Sequence, residues 1–275
     1  MLSTGLPRAR LRDHLLAAGL AGPVATNRED SLRSYRLFAA HDPRATLGLR
    51  PEQPWPERDV LRLMADRCGV SGDPAEVSGG DVIDPERTLS GLDAFAGRLR
   101  AAAGRRAPVL FGTGHPDRLG GFYGGLADAL SAAGCLVITP AKGRCIDITT
   151  RFGVRTHALD YVRGVALVRK SGASRAGSET GAHSHSPLPV RVALESAAAL
   201  GGPLPELVVG DHGWVCGAGQ LGIEAIGLAA TDDPALFVGE AEGRVSVVVP
   251  VDDGVRSDCY RPLTRYVLNR ACLSQ

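Results

Sequence analysis

Short apolar runs alternate with helix-length segments from residue 107 onward, and this alternation restricts the folds open to the chain. The runs lie at 108–112, 135–139, 165–168, 207–209, 225–228 and 245–249. Patterns typical of helices fill the intervals 119–133 and 188–200. Continuous apolar strands separated by helices are typical of a mostly parallel sheet with helices on both faces. We therefore predict an α/β fold of that kind.

Helices dominate the first 105 residues. A capping box at 26–29 predicts the start of one of them. The helices expected in this part of the chain run over 8–18, 30–40, 57–68 and 87–103. We expect a helical N-terminal portion, residues 1–105, packed on an α/β core domain, residues 106–275, that carries the site and ends in a helix at 262–272.

Composition restricts the partners and the surroundings of the protein. A formal net charge of +1 argues against a general binder of nucleic acid or of membrane surfaces, because such proteins usually carry a strong basic excess. No apolar stretch approaches the roughly 20 residues that cross a bilayer, and the N-terminus lacks the apolar core of a secretory signal. The six cysteines include no C-x-x-C pair, which is typical of reduced thiols. We expect a cytoplasmic protein whose partner is a small anionic metabolite, and homo-oligomers remain open.

Four of the seven histidines follow predicted strands: His115, His183, His185 and His212. Ligands of open α/β sheets bind outside the carboxyl ends of the strands. Histidine titrates near neutral pH and is the commonest metal ligand. These four side chains are therefore expected at a functional crevice. A Ser/Gly-rich segment at 171–181, predicted to be a mobile flap, separates one strand from His183 and His185.

The residues Gly112, Thr113, Gly114 and His115 form a predicted turn between a strand and a helix. Glycine turns of this kind point N–H groups at an anion, and a helix N-terminus adds positive potential. The third glycine of the G-x-G-x-x-G pattern is replaced by Asp117, so a phosphate or carboxylate is favoured over a dinucleotide. His115 would then donate a proton to the leaving oxygen. The alternative is a tight turn whose histidine caps the helix.

Further candidate anion-binding groups lie after two other predicted strands. A second glycine-rich turn is predicted at 216–222. The basic side chains would bring positive charge to the crevice, and the glycines would let a ligand approach closely. The candidates are Lys142, Arg144, Gly217, Gly219 and Gln220.

A divalent metal ion is the predicted cofactor. His183 and His185 alternate in an extended segment, so both imidazoles could reach one ion. Asp211 and His212 follow the next strand, and a carboxylate beside an imidazole offers both an oxygen ligand and a general acid or base. We predict that these four residues bind the metal and that Asp211 and His212 act in catalysis together with His115.

Each of these assignments has a structural alternative. The histidine pair could be solvated on a surface loop, and the segment 210–214 could be a glycine-rich loop with an aspartate-capped turn. Asp232 and Asp233 could bind a divalent cation. Their position before Pro234 favours a helix cap over a metal site.

Five segments of the chain resemble a conserved actinobacterial family of phosphatases, and the resemblance extends over nearly the whole length. They lie at 112–116, 147–155, 183–189, 210–220 and 260–265. The resemblance implies a phosphatase, and we expect metal-assisted hydrolysis of a small phosphorylated metabolite. The alternative is a non-catalytic nucleotide- or sugar-phosphate-binding protein. A transferase or isomerase using the same crevice is a third possibility.

Overall fold

The computed structural model describes residues 6–150, 153–170 and 181–274. Its helices are α1 (Arg8–Ala17), α2 (Arg28–Ala39), α3 (Pro43–Thr46), α4 (Glu57–Cys68), α5 (Pro85–Arg105), α6 (Pro116–Ala132), α7 (Leu188–Ala199), α8 (His212–Gln220), α9 (Pro234–Ala241) and α10 (Arg261–Arg270). Its strands are β1 (Gly22–Asn27), β2 (Gly80–Ile83), β3 (Pro108–Gly112), β4 (Leu136–Val137), β5 (Cys145–Thr150), β6 (Gly153–Val162), β7 (Val165–Lys170), β8 (Leu207–Asp211), β9 (Glu224–Ala229) and β10 (Val247–Pro250). The predicted flap at 171–181 lies, apart from Gly181, outside the described residues.

A mostly parallel eight-stranded sheet forms the centre of the molecule. Its order is β10, β9, β8, β3, β7, β6, β5, and β4 pairs with the first half of β3. Strands β3, β7, β8, β9 and β10 run parallel, whereas β6 is antiparallel to both of its neighbours. The predicted α/β fold is therefore confirmed.

Helices cover both faces of this sheet, because successive side chains of a strand point to opposite sides. On β3, Val109 and Phe111 join a core with α1, α5, α6 and α10. Leu110 lies between them and joins the other core, with α2, α4, α7, α8 and α9. The strand ends near the middle of the sheet are thus enclosed on two sides.

The N-terminal portion contains the expected helices and also a small antiparallel sheet, β1 with β2, which the sequence did not predict. Helix α2 begins two residues earlier than expected. Its N-cap is Asn27, whose Oδ1 accepts from the Asp30 amide at 2.8 Å. The boundary at residue 105 stays a prediction. No described helix combines the length and the apolar character needed to cross a membrane.

Two features of the core differ from the predictions. Strand β6 was missed because its first four residues are exposed and its buried residues then alternate with half-buried ones, so it contains no continuous apolar run. The predicted glycine-rich turn at 216–222 is wrong over most of its length, because residues up to Gln220 continue the buried helix α8. Gly217 packs against α7, where a Cβ atom would lie 2.6 Å from Val190 Cγ1. Gly219 packs against the chain at Arg244, whose carbonyl oxygen would be 2.4 Å away.

Candidate metal centre

The four predicted histidines meet at the carboxyl edge of the parallel strands. His115 stands at the N-cap of α6, just after β3, and His212 begins α8 directly after β8. His183 and His185 lie on the segment 181–187 between β7 and α7. The Ser184 amide of this segment donates to the Gly114 carbonyl at 3.1 Å. The segment is therefore fixed to the turn that carries His115.

The imidazole rings are in direct contact with one another. His115 stacks on His183 with ring centroids 4.2 Å apart, and His185 stacks on His212 at 4.1 Å. The Nε2 atoms of His183 and His185 are 2.9 Å apart. One nitrogen from each of the four rings lies within 4.8 Å of the others, a spacing suited to ligands of one ion.

Two carboxylates complete the cluster. Asp233 Oδ2 lies 2.9 Å from His212 Nε2. Asp253 Oδ2 lies 3.4 Å from the same nitrogen and 3.3 Å from His115 Nδ1. His212, Asp233 and Asp253 thus form a second set of potential ligands within 4.8 Å of one another.

The sequence analysis favoured a different role for Asp233 and overlooked Asp253. Asp233 occupies the N-cap position of α9, but its side chain makes no capping hydrogen bond and faces His212 instead. Asp253 follows β10 by three residues. The signal that identified the histidines, a polar residue just after a buried strand, was present there too.

Asp211 holds the turn after β3. Its Oδ2 accepts from the Thr113 hydroxyl and its Oδ1 from the Gly114 amide, both at 2.6 Å. The side chain is fully buried, and its Oδ1 is 3.4 Å from His212 Nδ1. Asp211 belongs to neither set of potential ligands found among the described residues. Its predicted role as a metal ligand stays a prediction, beside this positional role in the structure.

The backbone amides of the turn after β3 are hydrogen-bonded within the protein. Thr113 N donates to the Ala166 carbonyl, Gly114 N to Asp211, and His115 N to the Thr113 hydroxyl. The glycines have packing roles, since a Cβ on Gly112 would lie 2.1 Å from the Trp214 ring. The amides expected to face an anion therefore bind protein acceptors instead.

The other predicted anion-binding side chains have partners elsewhere or face solvent. Lys142 Nζ lies 3.8 Å from Asp160 Oδ1 on β6, and Arg144 is exposed just before β5. Gln220 Oε1 accepts from the Arg50 amide at 2.6 Å. Their predicted roles, like those of Gly217 and Gly219, stay predictions.

Backbone geometry brings His212 close to its partners. Its φ of +43° lies in the left-handed region, which costs a non-glycine residue roughly 1–3 kcal/mol when the surrounding structure imposes it. The next residue, Gly213, has no side chain, so the segment that carries His183 and His185 can pack closely against it. A Cβ there would lie 2.5 Å from the Ser186 carbonyl oxygen and 2.6 Å from that of His185.

Charge is unevenly distributed over the cluster. Burial, followed by the neighbouring histidines, lowers the pKa of His183 to about 4 and that of His185 to about 3. For His212, burial lowers the pKa, but Asp233 and Asp253 outweigh burial and raise it well above its usual value. Among the described residues, the positive partners of these two carboxylates are histidines and include no arginine or lysine.

The residues present fit a divalent cation. His115 Nδ1, His212 Nδ1 and Asp253 Oδ2 are buried polar atoms without a hydrogen-bond partner. Leaving such atoms unsatisfied costs free energy, which a ligand can recover. Imidazole nitrogens and carboxylate oxygens are ligands for zinc, manganese and iron.

A groove of about 490 Å³ is lined by residues that are close in sequence to His115 and Asp253. Asp117 and Arg118, in the first turn of α6 just after His115, form one part of it. Arg256, Ser257 and Asp258, shortly after Asp253, form the other. Both arginines are ion-paired with an aspartate of the same wall.

The fold and the cluster define an α/β protein with a histidine- and aspartate-lined site at the carboxyl edge of its sheet. A family model described as "Phosphatase" matches residues 6–275. "Phosphatase SCO2771" of Streptomyces coelicolor is 43% identical over 270 residues, which cover 97% of each chain. The chain belongs to this phosphatase family, as the resemblance implied.

Proposed function

We propose that this protein hydrolyses phosphate monoesters of a small metabolite with the help of a divalent cation. The observation that carries the proposal is the meeting of four imidazoles and two carboxylates at the strand ends of a phosphatase-family chain. Packing alone gives no reason for six such side chains to be in contact. A cation-binding site gives one, because each side chain can donate a lone pair to the ion.

The cluster residues would bind the cation and keep it in place. Neutral imidazoles are the form that coordinates metals, and burial favours that form at His183 and His185. Asp233 and Asp253 supply the negative charge that offsets a cation. When bound, a divalent ion supplies Lewis acidity to a phosphoryl oxygen and offsets its negative charge. We assign His115 to the ligands because its Nδ1 faces Asp253.

The groove that contains Arg118 and Arg256 would bind the substrate. Its volume of about 490 Å³ falls within the usual range for small-molecule sites. Arg118 and Arg256 carry the guanidinium groups best suited to phosphate or carboxylate oxygens. Both guanidinium groups are paired with the exposed carboxylates of Asp117 and Asp258, which an anionic substrate would have to replace.

The alternative, a binding protein without turnover, uses the same predicted anion site at 112–115 as the hydrolase but needs no metal ion. The Thr113, Gly114 and His115 amides of that site are hydrogen-bonded within the protein, which counts against it in both cases. The cluster of possible metal ligands is what favours the hydrolase.

Phosphate release from sugar phosphates, nucleoside monophosphates and an aryl phosphate tests the proposal. Protein stripped with chelator and reloaded with Mn²⁺, Zn²⁺ or Mg²⁺ should turn over at least one ester class. Asp233→Asn should lower kcat/KM by about 100-fold or more. Mutation of a residue that only hydrogen-bonds to a metal ligand already lowers metal affinity or activity by about 10- to 100-fold. The control is Asp128→Asn, which alters an exposed ion pair on α6 and should keep near wild-type activity. Binding of these esters without release, with every metal, would favour the non-catalytic alternative.

A further inference from the structure

The cluster side chains form two overlapping sets, not one. The first set is His212, Asp233 and Asp253, and the second is the four histidines. His212 belongs to both. Its Nε2 is 2.9 Å from Asp233 Oδ2, which places it with the carboxylates. His115, His183 and His185 then remain as a separate imidazole group.

Asp253 lies where the two groups meet. Its Oδ2 is 3.3 Å from His115 Nδ1 in one group and 3.4 Å from His212 Nε2 in the other. The same oxygen is buried without a hydrogen bond. A carboxylate has two oxygens and several lone pairs, so it can bind two cations at once.

Among the described residues, histidines are the positive partners of the buried carboxylates in the site. Asp211, Asp233 and Asp253 are all buried within reach of His212. No described lysine or arginine forms an ion pair with any of them. Imidazoles are neutral when they coordinate a metal, so the buried carboxylates would then need the charge of the bound cations.

We propose that the site binds two divalent cations with Asp253 as their shared ligand. His212 and Asp233 complete the first position, and His115, His183 and His185 complete the second. The proposal rests on the proposed function, for which paired ions roughly 3.5–4 Å apart are a common arrangement in phosphatases. It concerns the number of ions and their ligands, so it can be measured without a substrate.

Manganese titration of the chelator-stripped full chain is the direct test. Wild-type protein should take up two equivalents of Mn²⁺ by elemental analysis. Its electron paramagnetic resonance spectrum at full loading should be that of two exchange-coupled ions, replacing the six-line signal of isolated Mn²⁺. The spectrum needs no variant, so it does not depend on how a substitution folds. Saturation at one equivalent with only the isolated-ion signal would overturn the proposal.

Substitutions of the proposed ligands separate the two positions. Asp233→Asn and the double variant His183→Ala/His185→Ala should each retain about one equivalent, and neither should show coupling. Asp253→Asn should lose the coupling and at least one equivalent. His41→Asn, an exposed histidine remote in sequence from the cluster, is the matched control and should retain two. The two-ion proposal is wrong if Asp233→Asn and His183→Ala/His185→Ala each bind no Mn²⁺ although circular dichroism shows that both variants are folded.

The outcomes also distinguish this inference from the proposed function. Two coupled ions without phosphate release from any ester would leave the two-ion site standing and remove the hydrolase. Phosphate release with a single bound ion would support the hydrolase and overturn the two-ion site.

Discussion

The Asp211 carboxylate joins two neighbouring strands, because its Oδ1 accepts a 2.6 Å hydrogen bond from the Gly114 amide just beyond β3. Its Oδ2 accepts from Thr113 at the same distance. Asp211 ends β8, so the contact fixes the positions of His115 and His212 relative to each other. The predicted metal-ligand role and this positional role give different experimental results.

Asp211→Asn should destabilise the metal-free protein by about 1–3 kcal/mol, because an amide replaces one of two buried acceptors and leaves a donor unsatisfied. Chemical denaturation of chelator-treated protein measures this loss. His183→Ala, which truncates a more exposed cluster histidine, should cost about 0.5 kcal/mol or less in the same experiment. Equal stabilities of Asp211→Asn and wild type would argue against the positional role.

Gly213→Ala should displace the segment that carries His183 and His185. The new Cβ would lie 2.5 Å from the Ser186 carbonyl, so the backbone must move. We expect a loss of about 1–3 kcal/mol in stability, as for other overpacked sites, and metal affinity at least ~10-fold weaker. Thermal melting and Mn²⁺ titration report the two effects.

The matched control is Gly120→Ala in α6, where an added Cβ meets nothing within 4 Å. That change should leave metal binding intact. It should raise the free energy of unfolding by about 0.4–1 kcal/mol, because alanine leaves the unfolded chain less conformational freedom than glycine does. Unchanged metal affinity in Gly213→Ala would mean that the close approach is not needed for binding.

Tyr35→Phe tests whether helix α2 supports the Asp233 loop. The Tyr35 hydroxyl donates to the Thr231 carbonyl at 2.8 Å, two residues before Asp233. Loss of this hydrogen bond should lower the free energy of unfolding by about 1 kcal/mol, and it should weaken Mn²⁺ binding at the position that includes Asp233. Tyr266→Phe removes a hydroxyl bonded to Asp93 at 2.8 Å, in the core on the other face. It should lose stability without changing metal affinity. The support role is excluded if both variants bind Mn²⁺ like wild type.

Asp42→Asn should show a stability difference that depends on pH. The side chain and amide of Arg44 lower the pKa of Asp42 to about 2 from a usual value of 3.8. A carboxyl whose pKa is lower in the folded state stabilises the fold above its unfolded pKa, and this contribution is lost as the pH falls toward about 2.

Asparagine keeps the capping acceptor of α3 without the charge, so Asp42→Asn removes only the ionic part. Because the pair is largely exposed, we expect at most about 1 kcal/mol at pH 7 and no difference near pH 2. Denaturation curves at several pH values measure it. A difference that persists unchanged at pH 2 would contradict the ionic origin.

The placement of His115 and His212 at one edge of the sheet could be predicted because each comes soon after an apolar run, and parallel strands end at one edge. The segment 171–181 separates His183 and His185 from their strand, so the sequence did not show that all four converge. Asp253 could not be paired with His115 in the same way. They follow β10 and β3, which are separated by β9 and β8 in the sheet. Strand order depends on tertiary packing, and no local pattern in the sequence records it.

The glycines illustrate a second limit. A glycine between a strand and a helix is compatible both with amides turned toward an anion and with a close approach of side chains. At Gly112 the neighbour is the Trp214 ring, and at Gly114 it is the Ser184 carbonyl. Both neighbours are distant in sequence, so only the folded chain distinguishes the two uses.

The six cluster side chains belong to five segments, and the last of them lies just after β10, an edge strand of the sheet. During synthesis the three histidines of one group emerge well before Asp253. The proposed ions would therefore find their full set of ligands only after β10 has joined the sheet. The bound ions would then link the loop after β10 to the middle of the sheet, and their removal should loosen that edge first.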